Sequence, residues 1–153
     1  MSSSRSKDMV CVQSLLFVFP VTSPKRWYYN PPQSVAFIRN VIERAGQYGI
    51  EMGIYTNKDD WDQITNGYTG LTTPLLWYWN VKSEGPMGET PMNFDDFRPF
   101  ASWKVPAVKQ FGQQIFVCGH RANRDIYFAA TRRTSTNPAS SGNMTYVGDI
   151  TFQ

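Results

Sequence analysis

The stretch that decides the fold runs from residue 15 to residue 56 and reads LLFVFPVTSPKRWYYNPPQSVAFIRNVIERAGQYGIEMGIYT. It opens with the apolar segment 15–21, whose branched and aromatic side chains predict a strand covered on both faces of a sheet. A helical pattern follows, and 50–56 again has the composition of a strand. Two strands joined by a helix predict a βαβ unit with parallel strands and a right-handed crossover.

The helix between these strands is marked at both ends. Asn30 can cap it, Pro31 suits the first turn, and Gln33 stands at the third helical position. Gly49 can close the helix in the left-handed conformation. The apolar side chains recur at helical spacing and should face the sheet; they are Val35, Ile38, Val41, Ile42 and Ala45. An Ile42→Asp change is predicted to destabilise the fold by several kcal/mol, because it would bury an unpaired charge.

Weaker signals continue the alternation of strands, helices and loops. Residues 58–66 predict a short helix behind the cap Asn57, and 74–81 predict a third strand. Glycine and proline breaks make 82–93 a predicted long loop. Short strand pieces are predicted at 108–111 and 115–117, on either side of a turn at Gly112, and at 126–130.

Composition excludes several classes of function. A net charge of +3 without a dense basic patch argues against nucleic acid as a partner. No apolar run reaches the roughly 20 residues of a membrane span. His120 is the only histidine and Cys11 and Cys118 are the only cysteines, so a zinc site of the usual Cys/His type is not predicted. No phosphate-binding glycine motif occurs, so no cofactor is predicted.

The segment 9–21, MVCVQSLLFVFPV, admits two interpretations. Arg5 and Lys7 precede it, as charged residues precede the apolar core of a signal peptide. Gln13 and Ser14 interrupt the run, however, and no cleavage site of the usual kind follows. A buried strand is therefore the preferred interpretation, and no clear signal peptide is predicted.

Five segments with distinctive residues occur in a fixed order along the chain. They are VTSPKRW at 21–27, GIYTNKDDWDQI at 53–64, LLWYWNV at 75–81, FRPFASWKVPAVKQF at 97–111 and NRDIYF at 123–128. Together they resemble the carboxyl-terminal half of nematode lysozyme-like proteins related to glycoside hydrolase family 25. The resemblance implies an α/β fold, an irregular β/α barrel incomplete at its amino-terminal side. It also implies a secreted protein that acts on the glycan of bacterial peptidoglycan in digestion or innate defence.

The resemblance also divides the chain into three parts. Residues 1–14 are expected to be a disordered or residual segment, and 15–130 the lysozyme-like domain. Residues 131–153 are rich in Ser, Thr, Asn, Gly and Pro and are expected to form a loose polar tail, with an ordered segment at 144–152 as the alternative. Asn143 begins a glycosylation sequon that is usable only in a secreted chain.

Carboxyl groups are the first requirement of a glycosidase site. Barrel enzymes hold their sites at the carboxyl ends of the strands, which here carry Thr22, Tyr55, Asn80, Gln110 and Asp125. Glycoside hydrolysis usually needs two positioned carboxyl groups. The resemblance implies an Asp-x-Glu pair at the end of the strand predicted at 15–21, but Pro20 and Thr22 occupy those positions. A further catalytic Asp, on the first strand of the family's barrel, has no counterpart in this sequence. Asp125 resembles an acidic position of the cleft and is the predicted catalytic residue, with a capping turn residue as the alternative.

Aromatic side chains on the matching segments predict a sugar-binding surface, because sugars present apolar faces to flat rings. The predicted substrate-binding residues are Tyr55, Trp77, Trp79, Trp103 and Gln110. Alternation along the strand puts Trp77 and Trp79 on one side and Tyr78 on the other. For any single ring, packing in the core is the alternative.

Three functions therefore stay open. The chain is a peptidoglycan muramidase with unrecognised acids, an inactive relative that binds bacterial cell-wall glycan, or a truncated fragment without independent activity. The missing acids predict no measurable lytic activity for the chain as written. The resemblance places a disulfide cysteine near Cys118, but Ser102 stands at the expected partner position, so a free thiol is predicted. The sequence does not indicate an oligomeric state.

Overall fold

The protein contains one mixed sheet of six strands. The computed structural model describes residues 17–72, 75–128 and the backbone of 144–150. The strands are β1 (Phe17–Pro20), β2 (Met52–Thr56), β3 (Leu76–Trp79), β4 (Val108–Val117), β5 (His120–Phe128) and β6 (Met144–Ile150). The α-helices are α1 (Pro31–Gln47) and α2 (Lys58–Thr65), and short 3-10 turns span Pro24–Arg26 and Pro86–Gly88. Spatial order follows chain order from β1 to β6.

The sheet changes from parallel to antiparallel pairing at β4. Strands β1 to β4 pair in parallel, and β4, β5 and β6 pair antiparallel. The predicted βαβ unit is confirmed, because β1, α1 and β2 follow one another and the two strands pair in parallel. Parallel pairing brings the carboxyl ends of the first four strands to one edge, and the loops that follow them meet there.

The amino end of α1 forms the predicted cap as a reciprocal pair. The Asn30 Oδ1 accepts the Gln33 N–H at 3.1 Å, and the Gln33 Oε1 accepts the Asn30 N–H at 3.2 Å. Two donors that the first helical turn would leave unpaired are thus satisfied.

Loss of this cap should have a modest, measurable cost. We expect Asn30→Ala to lower the free energy of unfolding by about 1 kcal/mol, the usual cost of removing such a cap. Urea denaturation measures the change, and Asn40→Ala, at an exposed position inside the same helix, is the matched control. An equal loss in both variants would contradict a specific role for the cap.

One face of the sheet packs against the helices and forms the core. Ile54, Leu76 and Tyr78 project from β2 and β3 into this core, where they join Ile38 of α1 and Trp61 of α2. Of the predicted helix face, Ile38 and Ala45 are buried, whereas Val35, Val41 and Ile42 are half-buried. Ser34, which the apolar pattern did not select, is also fully buried.

Several strand boundaries differ from the predictions. The pieces predicted at 108–111 and 115–117 form the single strand β4, whose pairing with β5 shifts register around Gly112. A Cβ at Gly112 would lie 2.8 Å from the Glu89 Oε1, so a larger residue there would require the Glu89 side chain to shift. Strand β5 begins at His120, earlier than predicted, because Cys118 and Gly119 adopt positive φ angles and turn the chain tightly.

Some predictions fall outside the described residues, and others stay open. Cys11, Asn143 and the strand start at Leu15 lie outside them. The domain limits are not tested. Cys118 carries an exposed free thiol.

Candidate functional site

Five predicted residues lie on the face of the sheet opposite the helices. Register pairs Tyr55 with Trp77, Trp79 with Gln110, and Gln110 with Asp125, and paired residues project to the same side. We call this set of five side chains the open face. The predicted orientation of Trp77 and Trp79 away from the core side chain Tyr78 is confirmed.

Rings form the outer layer of the open face, and polar groups lie beneath them. Tyr55, Trp77 and Trp79 are half-buried, and the rings of Tyr55 and Trp77 meet edge to face with centroids 6.1 Å apart. Gln110 and Asp125 are each only 3% exposed. A molecule arriving at this face therefore meets ring surfaces before it meets the carboxylate.

Partly buried hydrogen bonds hold two of these rings in place. The Trp77 indole Nε1–H donates to the Asp125 Oδ1 at 2.9 Å. A hydrogen bond to a carboxylate is stronger than one between neutral groups, so Asp125 fixes the orientation of this ring. The Tyr55 hydroxyl donates to the Gln110 Oε1 at 2.8 Å, and the Gln113 Nε2 donates to the same oxygen at 2.7 Å.

The Tyr55 hydroxyl remains neutral throughout the physiological range. Burial is the main cause that raises its pKa, and the negative charges of Asp125 and Asp60 add to the effect. It therefore acts as a hydrogen-bonding group and not as a phenolate base.

Among strands β2 to β5, the strand positions of the open face hold one carboxylate, that of Asp125. Asp60 lies near the end of β1, where its Oδ2 accepts the Ser23 N–H at 3.4 Å. Burial raises the pKa of Asp60. Its own N–H donates to the cap Asn57, and Asp62 pairs with Lys58, as expected for acids in the first turns of a helix.

A separate open pocket of about 310 Å³ lies at the carboxyl ends of β2 and β3. Trp79 borders it, so the pocket adjoins the open face, but Asp125 is not among its lining residues. Asp96 lines the pocket and accepts the Tyr78 hydroxyl at 2.8 Å, the Lys109 ammonium at 2.8 Å and the Asn80 amide.

Sequence patterns did not single out Asp96 or Lys109 as site residues, although one signal was available. Lys109 is fully buried, and its ammonium also donates to the carbonyls of Pro91 and Asn93 at 2.9 and 3.0 Å. A lysine inside an apolar strand segment such as VKQF needs an anionic partner. Burial acts to raise the pKa of Asp96, but hydrogen bonds from Lys109, Tyr78 and Asn80 outweigh it and lower this pKa.

The structure does not bring Trp103 to the open face. This predicted substrate-binding ring is 4% exposed and lies in the core. Its ring meets that of Trp61 edge to face at 4.9 Å and that of Phe100 at 5.3 Å. Its surroundings are those of a packing residue, which was the alternative for each ring.

The described residues contain no group of three or more potential metal-ligating acids, histidines or cysteines. No helix in this part of the chain is long and apolar enough to cross a membrane. Parallel β/α units with half-buried rings above buried polar groups on one face of the sheet define a mixed α/β protein.

The chain belongs to the lysozyme-like protein family. The family model described as Lysozyme-like protein 1 matches residues 6–111. This match confirms the family predicted from the five sequence segments.

Individual relatives agree with the family match. Lysozyme-like protein 7 of Caenorhabditis elegans is 51% identical over 110 residues, which cover 71% of this chain and 39% of the relative. Lysozyme-like protein 1 of the same organism is 50% identical over 108 residues, or 70% of this chain and 36% of the relative. Probable GH family 25 lysozyme 4 of Dictyostelium discoideum is 33% identical over 93 residues, which cover 61% of this chain and 40% of the relative.

The chain spans about two-fifths of the length of these curated relatives. No solved structure matches it.

Proposed function

We propose that the open face binds the glycan of bacterial peptidoglycan, in a secreted protein of innate defence whose fold is an irregular β/α barrel. The observation that supports binding most directly is the row of three half-buried rings above Gln110 and Asp125. The lysozyme names of the relatives support a glycan as the ligand.

The chemistry of the open face suits binding better than hydrolysis. Rings held in one orientation offer stacking surface to the apolar face of a sugar without a large loss of side-chain entropy. Asp125 is almost fully buried and its Oδ1 accepts the Trp77 indole N–H, so we assign it a positioning role. A muramidase acting through unrecognised acids is the alternative function.

We expect no measurable lysis of bacterial cell walls by this chain. An oxocarbenium-like transition state needs a proton donor and a second carboxylate, and Asp125 is the one acid among the five side chains of the open face. A turbidity assay on purified peptidoglycan tests this expectation. Robust clearing would contradict it, and loss of that clearing in Asp125→Asn would make Asp125 one of the catalytic acids.

Glycan binding should depend on the ring of Trp77. We expect Trp77→Ala to weaken binding to insoluble peptidoglycan about tenfold, the effect of losing one well-packed aromatic contact. Tyr28→Ala is the matched control, because Tyr28 is 96% exposed and lies outside the open face. Co-sedimentation measures bound protein, and circular dichroism checks that each variant is folded.

Two further variants distinguish the contribution of the Trp77 ring from that of its hydrogen bond to Asp125. Trp77→Phe keeps an aromatic surface but loses the N–H that Asp125 accepts, so an intermediate affinity is expected. Asp125→Asn keeps an oxygen that can accept this bond, so affinity close to the wild type is expected. If Trp77→Ala and Tyr28→Ala bind as well as the wild type, the open face is not the glycan site.

A further inference from the structure

The hairpin formed by β4 and β5 carries apolar side chains at its exposed end. Phe116 is 68% exposed and Val117 is 51% exposed, whereas Ile115 and Ala122, the next residues toward the sheet, are buried. We call residues 116–121 the hairpin tip. Apolar surface exposed on a projecting element is typical of an interaction site.

The hairpin tip extends beyond the strands that flank the hairpin. Among the described strands, β3 pairs with β4 over Val108–Gln110, and the pairing of β6 with β5 reaches Ala122. All six residues of the hairpin tip are exposed. The hairpin tip is therefore a two-stranded projection with both of its faces open.

The backbone of the hairpin tip is held in one conformation. Val117 pairs with His120, so Cys118 and Gly119 form a two-residue connection between the strands. These two residues have positive φ angles of 50° and 82°, as in the connections that match the twist of paired strands. Such a preformed element loses little conformational freedom when it binds.

The hairpin tip is cationic. The segment 112–124 contains no Asp or Glu, and Arg121 is exposed. The Arg121 guanidinium lies 5.6 Å from the centroid of the Phe116 ring, and its Nη1 donates to the Gln114 Oε1 at 3.3 Å. Its other N–H groups can donate to an anion beside the ring.

The geometry of the hairpin tip suits a fluid partner better than a flat one. Successive side chains of a strand point to opposite faces, so Phe116 lies on one face and Val117 on the other. A flat protein surface would cover one face and leave the other apolar side chain in water. The interface of a bilayer admits the whole hairpin tip and buries both side chains, while an arginine reaches the phosphates of the lipid headgroups.

From this arrangement we infer that the hairpin tip is a docking site for a bilayer that contains anionic lipids. Phe116 and Val117 enter the interface, and Arg121 binds the phosphates there. The inference is independent of the proposed glycan site, because no residue of the hairpin tip belongs to the open face.

Co-sedimentation with lipid vesicles tests the inference on the whole chain. We expect binding to vesicles of phosphatidylglycerol and phosphatidylcholine in equal parts, with half-saturation on the order of 1 mM lipid, because two side chains insert less apolar surface than an acyl chain. Phe116→Ser should weaken this binding about tenfold, since the ring no longer enters the interface. Tyr28→Ser removes an almost fully exposed ring elsewhere and is the matched control, for which binding like the wild type is expected.

The contribution of charge is measured with a second pair of variants. Arg121→Gln should weaken binding about fivefold, the effect of one basic residue near an anionic surface. This difference should shrink at high salt, because exposed charges are then screened. Lys104→Gln, which removes another exposed cation, is the control. Equal binding to vesicles of phosphatidylcholine alone would contradict the assignment of anionic lipid.

A fluorescent label reports insertion directly. Cys118 has an exposed thiol at the end of the hairpin tip, so a polarity-sensitive dye attached to it in a Cys11→Ser variant should shift its emission to the blue on addition of the mixed vesicles. Circular dichroism checks that each variant is folded.

Three results would overturn the inference: no binding to the mixed vesicles, binding without the blue shift, or equal binding by Phe116→Ser and the wild type. Dimerisation without lipid that Phe116→Ser abolishes would instead assign the hairpin tip to a second copy of the chain. Phe116→Ser should bind peptidoglycan like the wild type, so failure of the glycan proposal and failure of the lipid proposal are distinguishable.

Discussion

An Ile38→Asp variant is expected to lose about 4–5 kcal/mol of stability, close to the whole stability of a small domain. Ile38 is 1% exposed and lies in the core between α1 and the sheet. The substitution removes buried apolar surface and places a carboxylate in an apolar core, where it has no cationic partner. We expect the variant to be largely unfolded at 25 °C.

Two variants of the same helix calibrate this expectation. Ile42→Asp should cost less than Ile38→Asp, because Ile42 is half-buried and an aspartate there can reach water. The expected loss of stability for Ile42→Asp is therefore smaller than the several kcal/mol that the helical pattern predicted. Asn40→Asp, at an exposed position, should change little. Thermal melts followed by circular dichroism give the comparison, and similar melting temperatures for Ile38→Asp and Asn40→Asp would refute the assignment of the buried face.

A Lys109→Met variant is expected to lose about 3–5 kcal/mol, the cost of removing one partner from a buried ion pair. The Lys109 ammonium is fully buried and donates to Asp96 and to the carbonyls of Pro91 and Asn93. Methionine fills the same volume but leaves these three acceptors without their donor. The loop before Asp96 thus loses its anchor to β4.

The pH dependence of stability distinguishes the contribution of the Lys109–Asp96 ion pair from that of packing around Lys109. The pKa of Asp96 is lowered in the folded protein, so its contribution to stability is present above the ordinary aspartate pKa of about 3.9 and is lost as the pH falls through the folded value. The stability difference between wild type and Lys109→Met should therefore be large at pH 7 and shrink below about pH 4. Urea denaturation across this range measures it, with the exposed Lys104→Met as control. A difference independent of pH would show that packing alone explains the loss.

Local patterns in the sequence determined the family and the first half of the fold. The spacing from Val35 to Ala45 and the signals at Asn30 and Gln33 predicted α1 because helix periodicity and capping involve residues only a few positions apart. The period of two along β3 likewise predicted which side of the strand carries Trp77 and Trp79. Such rules need no knowledge of distant parts of the chain.

Tertiary structure alone decided how these elements combine into sites. Whether a ring lies in the core, as Trp103 does, or on the open face depends on which distant elements cover it. Asp125 binds Trp77, 48 positions away in the sequence, and Asp96 binds Lys109 from a loop. The energy of a buried charge depends on its partner, and strand pairing brings that partner close without any local signature in the sequence.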